Sequence, residues 1–353
     1  MISSHPLKNI LIIRLSALGD VAMSIPVIYS LCRTYPDTNF VMLTTPVVSR
    51  IFINRPENLQ IYKAEIRDRH KGVKGIYTLY KELRKFSFDG IADLHNVLRS
   101  RLLCALFRFS GVKSFHLDKG RSAKREITTR RHKKLRQLPT SFQRYADVFR
   151  SLGFKFTDNF ISIYEKEEVP IPEIVLSECD TGMHCIGIAP FAKHIGKIYP
   201  EKRMEQVISV LAQRGGYKIF LFGGGEKEIE ILNRWASAFP DRVISLAGMK
   251  LGFSGELALM SRLKLLVSMD SANMHLASLV GLQVISVWGA THPYAGFLGW
   301  NQSLDNAVQI ELPCRPCSIF GNRPCWRGDY ACLYEITPEQ IVDKIEKIIH
   351  TKK

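Results

Sequence analysis

The chain has 353 residues, of which 46% are apolar and 23% are charged, and this composition is typical of a soluble globular protein. The length exceeds one ordinary hydrophobic core and favours two domains of roughly 150 to 180 residues each. The formal net charge of +16, from 49 basic and 33 acidic residues, excludes a neutral surface and indicates an anionic partner, which is nucleic acid, an anionic membrane face or a phosphorylated substrate.

Strand-like and helix-like runs alternate through the first half of the chain. Asn9–Leu15 is predicted as an apolar, β-branched strand, and Val21–Tyr35 as a helix that ends before Pro36. The alternation continues through Phe40–Thr44, Val47–Asn54, Leu59–Tyr62, Tyr77–Phe86, Gly90–Leu94 and Ser100–Phe109. This order predicts right-handed βαβ units around a parallel sheet. An amphipathic helix over Ser141–Leu152 is expected to close the first domain.

Basic residues are concentrated in one segment of the predicted N-terminal lobe. The basic segment, Lys119–Arg136, contains nine lysines and arginines and a single acidic residue, Glu126. It has no clear helical or strand period, so we expect a loop. A solvated loop without a ligand is the alternative to an anion-binding role. The segment has no aromatic residue to stack on bases, which argues against RNA or DNA as the partner.

The alternation resumes after a polar, proline-containing stretch. The predicted strands are Cys185–Ala189, Lys218–Phe222, Val243–Leu246, Leu265–Met269 and Val284–Trp288. The predicted helices are Glu201–Arg214, Glu226–Phe239, Gly255–Leu263, Ala272–Val280 and Thr337–His350. We therefore expect two doubly wound lobes. The predicted boundaries are an N-terminal lobe at 1–157, a linker at 158–182, a C-terminal lobe at 183–335 and a final helical segment at 336–353.

The eight cysteines fall into two groups. Four lie in apolar segments and are expected to be buried, namely Cys32, Cys104, Cys179 and Cys185. The other four lie in the cysteine loop, residues 313–332, with the spacing C-x2-C-x7-C-x6-C, namely Cys314, Cys317, Cys325 and Cys332. In a cytoplasmic protein this spacing favours a structural zinc site over disulfides. Unliganded or redox-labile thiols are the alternative.

The sequence predicts neither a secretion signal nor a membrane span. The apolar start at 10–13 is interrupted by Arg14 and Asp20, too early for a signal-peptide core. Residues 271–300 lack Asp, Glu, Lys and Arg, but glycines and residues such as His292 break the stretch. We interpret it as buried core and expect a cytoplasmic protein.

Two strand-to-helix turns contain the candidate catalytic residues. The first, Ser16–Asp20, places a carboxylate at the start of a helix, where it either caps the helix or accepts a proton from a substrate hydroxyl. In the second, Asp270–His275, the acidic residue projects from a strand end and Ser271 can cap the helix. The histidine is either a satisfied core residue or a ligand contact.

Phosphate-binding motifs of common nucleotide enzymes are absent from the sequence. No G-x-G-x-x-G follows the first strand and no G-x-x-x-x-G-K-[ST] occurs, which argues against an NAD enzyme and a P-loop NTPase. No Asp-x-Asp pair offers a metal-bridged diphosphate site, so cations must neutralise a leaving diphosphate. Lys193, His194 and Lys197 follow a predicted strand and are candidates, with exposed loop lysines as the alternative. Gly223–Gly225 followed by Glu226 is a weak ribose-binding pattern.

Together these runs resemble glycosyltransferase family 9, the ADP-heptose:lipopolysaccharide heptosyltransferases. The matching runs are Ile12–Val21, Gly196–Glu201, Gly224–Glu226, Leu246–Met249 and Met269–Ala277. The resemblance implies an α/β fold of GT-B architecture, with two Rossmann-like doubly wound lobes facing each other across a cleft. It also implies donor binding mainly by the second lobe and an inverting reaction without a catalytic metal or other cofactor.

The resemblance implies roles for individual residues. Asp20 is the expected general base, which deprotonates an acceptor sugar hydroxyl, and Lys197 the residue that stabilises the leaving diphosphate. Glu226 is expected at the ribose, Met249 at the adenine and Asp270 at the donor sugar. The remaining expected donor contacts are Lys193, Ser271, Ala272 and His275. The expected acceptor contacts are Ser16, Gly19, Arg130, Arg131, Lys133 and Lys134.

The implied partners are an ADP-heptose donor, an anionic glycolipid acceptor and the inner leaflet of the cytoplasmic membrane, with no nucleic acid. Near an anionic surface the basic segment contributes about 1 kcal/mol per basic residue. Departures from the family pattern at Ala192, Lys193, Tyr199 and Ala272 concern the donor. The alternatives are a family member with another nucleotide-sugar or glycan acceptor, a GT-B-type nucleotide-sugar epimerase, and a non-enzymatic nucleic-acid or membrane adaptor.

Overall fold

The computed structural model describes residues 7–165, 169 and 182–351. The chain forms two compact units, each built from two stretches of sequence. Unit 1 comprises Met1–Gly120 and Pro139–Glu165, and unit 2 comprises Arg121–Leu138 and Lys166–Lys353. Nearly all of the basic segment therefore groups with the C-terminal half, whereas the sequence placed it in the N-terminal lobe. Most of the predicted linker at 158–182 lies outside the described residues, as does Cys179.

Unit 1 is built on a five-stranded parallel sheet. Its strands are β1 (Asn9–Ile13), β2 (Asn39–Thr44), β3 (Leu59–Lys63), β4 (Gly90–Asp93) and β5 (Lys113–His116). They are arranged in the order β3-β2-β1-β4-β5. The central strand β1 reads as a continuous apolar run, and its residues from Ile10 to Ile13 are fully buried, as expected where both faces of a parallel sheet are covered. The edge strand β5 has no such run, and the sequence analysis missed it.

The first six helices differ from the prediction at two places. They are α1 (Leu18–Ala22), α2 (Ile25–Thr34), α3 (Gly72–Leu83), α4 (Leu98–Arg108), α5 (Arg121–Thr128) and α6 (Ser141–Ser151). All but α5 belong to unit 1. The single helix predicted over 21–35 is divided into α1 and α2 because Pro26 stands in the first turn of α2, where a missing N–H is tolerated.

Helix α5 corrects the prediction that the basic segment is a loop. Ile127 is fully buried with Leu138 and Ala295, and Ala123, one turn before Ile127, packs against the same cluster. One fully buried residue in two helical turns leaves no apolar period to detect. Tertiary packing in unit 2, rather than an apolar stripe in the sequence, stabilises this helix.

Unit 2 is built on a six-stranded parallel sheet. Its strands are β6 (His184–Ala189), β7 (Tyr217–Leu221), β8 (Val243–Ser245), β9 (Leu265–Met269), β10 (Val284–Val287) and β11 (Ala307–Val308), in the order β11-β10-β9-β6-β7-β8. Its later helices are α7 (Glu201–Arg214), α8 (Glu226–Ala238), α9 (Gly252–Met260), α10 (Ala272–Leu279), α11 (Ala331–Tyr334) and α12 (Pro338–His350). The start of α12 is as predicted, because the Thr337 side chain accepts a hydrogen bond from the Gln340 N–H.

Each sheet has a point at which the chain reverses its direction of strand addition. In unit 1, β1 lies between β2 and β4, with Ile12 opposite both Met42 and Ala92. In unit 2, β6 lies between β7 and β9. Open α/β sheets bind ligands beyond the carboxyl ends of the strands at such switch points. The loops after β1, β4, β6 and β9 are therefore the expected ligand-binding loops.

The predicted fold class of doubly wound α/β lobes is confirmed by these two sheets. The uncharged stretch at 271–300 forms α10, β10 and turns, and most of its side chains are buried, as predicted. Within the residues that the structure describes, no helix is both long and apolar enough to cross a bilayer.

Candidate active site

The turn after β1 fixes the carboxylate of Asp20 at the switch point of unit 1. Asp20 is the third residue of α1, whose N-cap residue is Ala17. Its Oδ2 accepts a hydrogen bond from the Ala17 N–H at 3.3 Å, so the carboxylate does help to satisfy the helix start. Ser16 is exposed and Gly19 is half-buried beside it. The structure thus brings together the three residues predicted in this turn.

A buried arginine holds the carboxylate from behind. The Arg14 Nη2 lies 2.7 Å from Asp20 Oδ2, and its Nη1 donates to the Leu94 carbonyl at 2.6 Å. Tyr145 of α6 lies under the guanidinium, 5.8 Å from ring centre to Cζ, and its hydroxyl donates to the Asp20 carbonyl at 3.2 Å. Burial acts to lower the pKa of Arg14, but Tyr145 and Asp20 outweigh it and the pKa is raised. The arginine is therefore a permanent cation.

His95 is a candidate site residue that was not predicted from the sequence. It follows β4, the strand beside β1, and its Nδ1 accepts a hydrogen bond from the Leu15 N–H at 3.3 Å. Burial, and then the charge of Arg14, lower the pKa of His95 to about 4. The imidazole is thus neutral near pH 7, with its proton on Nε2. A polar residue at the end of a strand next to the switch point is the signal that could have identified it.

Asp93, at the end of β4, organises the same edge of the sheet. Its carboxylate accepts hydrogen bonds from the main-chain N–H groups of His95 and Asn96, from the Ser100 hydroxyl and from His116 Nδ1, at 2.8 to 3.0 Å. Asp93, His116 and the Cys104 thiol lie close enough together to hold a metal ion. Burial raises the pKa of Cys104, and the hydrogen bonds already occupy the carboxylate. These contacts account for the cluster as a structural network.

In unit 2, the loops after β6 and β9 meet in a second ion pair. Lys197 ends a short 3-10 turn, Ile195–Lys197, and its Nζ lies 2.8 Å from Asp270 Oδ2. Asp270 follows β9 directly and is buried. Two predicted site residues that are 73 positions apart in the sequence are therefore neighbours at the switch point of unit 2. An ammonium held in this way is suited to neutralise a developing phosphate charge.

Close packing of backbone positions this lysine. A Cβ atom on Gly196 would lie 2.8 Å from the Gly321 carbonyl oxygen, and one on Gly321 would lie 2.6 Å from Lys197 Cγ. The Ala290 N–H donates to the Gly196 carbonyl at 2.8 Å. The cysteine loop, which contains Gly321, therefore supports the lysine side chain directly. This contact joins residues 124 positions apart, and no local sequence signal reveals it.

The start of α10 lies beside the ion pair. Ser271 is the N-cap residue, but its side chain makes no capping hydrogen bond, which corrects the prediction that it caps the helix. Its hydroxyl instead lies 3.2 Å from that of Ser268. The first N–H groups of α10 are thus available to an anion. Ala272 is half-buried at the first helical position, and His275 is buried one turn later.

The other predicted donor residues lie on loops at the same sheet edge. Lys193 follows β6, Glu226 follows β7 and Met249 follows β8, and all three side chains are exposed. Because the strands are parallel, their carboxyl ends share one edge. The glycine turn before α8 is stabilised by Glu228, whose Oε2 accepts from the Gly224 N–H at 2.8 Å. The Glu226 carboxylate lies exposed at the start of the helix.

The predicted acceptor-binding basic residues lie in unit 2. Arg130, Arg131 and Lys134 are exposed, as a ligand-binding role requires. Lys133 is half-buried, and its Nζ donates to the carbonyls of Pro313 and Pro316 at 3.1 Å each. Lys133 therefore anchors the basic segment to the cysteine loop.

The four thiols of the cysteine loop line one small cavity of about 10 Å³. Burial raises the pKa of Cys317, and raises that of Cys332 to about 12, so without a bound cation both are protonated at neutral pH. Arg315, buried nearby, donates to the Gly289 carbonyl at 2.6 Å. Among the described residues, the ligand atoms of these cysteines do not form a group within 4.8 Å, unlike those of the Asp93 network.

Comparisons with known proteins agree with this architecture. The model of glycosyltransferase family 9 (heptosyltransferase) matches residues 76–323. Lipopolysaccharide heptosyltransferase 3 of Escherichia coli K12 is 26% identical over 303 residues, which cover 83% of this chain and 84% of the relative. A family 9 glycosyltransferase structure from Veillonella parvula has a TM-score of 0.72 at 18% identity, covering 98% of both chains. The E. coli heptosyltransferase WaaC with ADP-2-deoxy-2-fluoro heptose has a TM-score of 0.68 at 20% identity, covering 96% of this chain and 99% of that one.

Proposed function

The chain belongs to glycosyltransferase family 9 and is a glycosyltransferase, and we propose that it transfers a heptose from ADP-heptose to an inner-core sugar of lipopolysaccharide. The E. coli and Campylobacter jejuni relatives named as lipopolysaccharide or lipooligosaccharide heptosyltransferases support this donor and acceptor class. The observation that carries the proposal is the Asp20 carboxylate, fixed on Arg14 at the switch point of unit 1.

Asp20 is the proposed general base. Its carboxylate accepts the proton of an acceptor hydroxyl while the hydroxyl oxygen attacks the anomeric carbon of the donor. The carbon–oxygen bond to the diphosphate breaks in the same step, so the configuration inverts and ADP leaves. Arg14 holds the base in place and balances its charge. The reaction as proposed needs no catalytic metal.

Lys197 is the proposed stabiliser of the leaving group. Its ammonium neutralises charge on the departing diphosphate, and the N–H groups at the start of α10 add hydrogen bonds. Asp270 orients Lys197 and takes hydroxyls of the donor sugar. We assign further donor contacts to residues on the same sheet edge, namely Lys193, Glu226 at the ribose, Met249 at the adenine, Ser271, Ala272 and His275.

The acceptor is proposed to be an anionic glycolipid at the inner leaflet of the cytoplasmic membrane. Ser16 and Gly19 border the base, and the basic residues Arg130, Arg131, Lys133 and Lys134 attract negative charge. Neutralising the exposed Arg130, Arg131 and Lys134 is expected to weaken acceptor or liposome binding and to leave ADP-heptose affinity unchanged. Lys133 is kept in this variant because it anchors the segment to the cysteine loop. Equal loss of both affinities would contradict this assignment.

A donor and acceptor screen tests the function. ADP-heptose, other ADP-sugars and UDP-sugars are each supplied with deacylated lipopolysaccharide core, and product is followed by mass spectrometry. We expect transfer from ADP-heptose alone. If ADP-heptose binds without turnover, the acceptor assignment is wrong. If it does not bind, the donor assignment fails, and the chain uses another nucleotide-sugar.

The cysteine loop is proposed to bind one structural zinc ion through Cys314, Cys317, Cys325 and Cys332. The four thiols line one small cavity and are donors that zinc prefers, and binding would draw their sulfur atoms together and release their protons. Metal analysis of the purified protein is expected to find one zinc per chain, lost in Cys325→Ser and retained in Cys104→Ala. Metal-free protein whose loop thiols all react with a disulfide reagent would overturn the proposal.

A further inference from the structure

A second cavity of unit 2, separate from the Lys197–Asp270 pair, lies between the basic segment and the cysteine loop. Its volume is about 220 Å³, below the roughly 300–1,000 Å³ of sites for drug-sized ligands and suited to one substituted ring. Thr128 and Arg130 line it from one side, and Pro313, Arg323 and Trp326 from the other.

The cavity is cationic without a compensating acid. Arg130 and Arg323 line it together with Cys314 and Cys317, and no aspartate or glutamate is among the lining residues. Within the described part of the chain, neither arginine forms an ion pair with a carboxylate, whereas neighbouring Arg327 is paired with Asp329 at 2.8 Å. Two guanidinium groups facing one concave space favour an anion that accepts hydrogen bonds from planar donors, such as a phosphate or a carboxylate.

An aromatic wall adds a flat apolar face to this charge. The Trp326 side chain is 49% exposed, and the Arg130 guanidinium lies 4.8 Å from the ring centre. An exposed tryptophan beside a charged pocket suits a ligand with both a ring face and an anionic substituent. Lys133 ties the two walls together through the Pro313 and Pro316 carbonyls, so the cavity is built into the fold.

We propose that this cavity is a subsite for a sugar ring that bears a phosphate or carboxylate group. If the proposed function holds, this ring is an anionic sugar of the acceptor, and the cavity selects acceptors by their charge. A concave space of this size fits one ring rather than the flat surface of a bilayer. The inference rests on the proposed function only for the source of the ring, and not for the binding chemistry.

Binding is tested without turnover by calorimetry, with glucose 6-phosphate, inorganic phosphate and glucose as probes. We expect glucose 6-phosphate to bind most tightly and Arg323→Gln to weaken it about tenfold, through loss of charged hydrogen bonds. Trp326→Ala should weaken glucose 6-phosphate binding and leave inorganic phosphate binding unchanged. The control is Arg262→Gln, an exposed arginine that precedes β9 at the opposite edge of the sheet, and it should bind as the wild type does.

Unchanged binding in Arg323→Gln would overturn the inference, as would equal affinity for inorganic phosphate and glucose 6-phosphate. If Arg323→Gln binds anionic vesicles less tightly than the wild type but keeps its affinity for glucose 6-phosphate, the arginines contact a lipid surface instead. A kinetic arm identifies the source of the ring, because Arg323→Gln should erase the KM difference between a phosphorylated acceptor and its dephosphorylated form. If the wild-type protein binds glucose 6-phosphate but transfers no heptose to any acceptor, the proposed function is rejected and the subsite is retained.

Discussion

Both units place an ion pair at a switch point, but the accessible member of the pair differs. In unit 1 the side chain of Arg14 is 8% exposed and that of Asp20 is 34% exposed. In unit 2 the carboxylate of Asp270 is 4% exposed and Lys197 is 14% exposed. The first pair therefore presents a carboxylate to a ligand, and the second presents an ammonium.

Because the accessible side chain differs, the two ion pairs can perform different chemistry although the two sheets have similar topology. A buried cation behind an accessible carboxylate holds a base that can take a proton. A buried carboxylate behind an accessible ammonium holds a cation that can meet a leaving anion. Which side chain is buried, rather than which residues are paired, sets the role. Breaking each pair should consequently have a different result.

The largest expected effect is on stability, in Arg14→Met. Arg14→Met leaves the buried Leu94 carbonyl without its donor and the partly exposed Asp20 without its counter-ion, so we expect a loss of about 3 kcal/mol in the free energy of unfolding. Chemical denaturation followed by circular dichroism measures it. The control is Arg33→Met, which breaks an ion pair with Glu165 in the same unit. The Arg33 side chain is 30% exposed against 8% for Arg14, so its loss should cost less than about 1 kcal/mol. Equal losses would show that Arg14 is not a special support.

The second effect is on the rate, in Lys197→Gln. Loss of the ammonium should lower kcat by about 10²- to 10³-fold, because one stabiliser of the leaving charge is gone. Steady-state kinetics with the nucleotide-sugar measures the change. Lys202→Gln, an exposed lysine in the first turn of α7, is the control and should keep the wild-type kcat. A kcat close to wild type in Lys197→Gln would remove the lysine from the mechanism.

A smaller effect should follow from disturbing the support of Lys197. Gly321→Ala places a methyl group 2.6 Å from Lys197 Cγ, and we expect a fall in kcat of about tenfold, since small misplacements of catalytic groups are costly. Gly328→Ala is a matched control, because Gly328 also has a positive φ, +82° against +69° at Gly321, but a Cβ there meets no atom within 4 Å. Similar activities in the two variants would contradict the supporting role.

The pH dependence of stability again separates the two units. The pKa of His95 in unit 1 and of His292 in unit 2 is lowered to about 4, in both cases mainly by burial. The unfolded chain binds protons at these sites below about pH 6.5, so stability should fall as the pH drops from 6.5 to 4, by up to about 1.4 kcal/mol per pH unit for each histidine.

The four tryptophans, Trp235, Trp288, Trp300 and Trp326, all lie in unit 2, so fluorescence reports on that unit. His95→Asn should flatten the pH dependence seen by circular dichroism and leave that seen by tryptophan fluorescence. The asparagine side chain in this variant keeps an acceptor for the Leu15 N–H but does not titrate. An unchanged slope would mean that His95 is protonated in the folded chain.

Much of the fold could be predicted because its signals are local. The strands β1, β6 and β9 are apolar runs, and Asp270 follows β9 directly, whereas Asp20 lies in the turn and first helical residues after β1. The sheet topology then places the turns at switch points. Strands without an apolar run, such as β5, gave no signal, and neither did α5, in which Ile127 is the one fully buried residue.

The supports of the site could not be predicted because they join distant parts of the sequence. Tyr145 lies under Arg14 from 131 positions away, and Gly321 contacts Lys197 from 124 positions away. The reversal of exposure between the two ion pairs depends on such contacts. Residue types and spacing indicate a carboxylate and a lysine, but only the folded chain shows which of them is accessible.

The most direct test of this account compares wild type with Asp20→Asn in transfer from ADP-heptose to deacylated lipopolysaccharide core, with ADP-heptose affinity measured in parallel. Asparagine keeps the size of the side chain but cannot accept the proton. We expect product from the wild type, a rate lower by about 10²- to 10⁴-fold in the variant and an unchanged donor affinity. A variant that transfers heptose at the wild-type rate would contradict the assignment of Asp20 as the base.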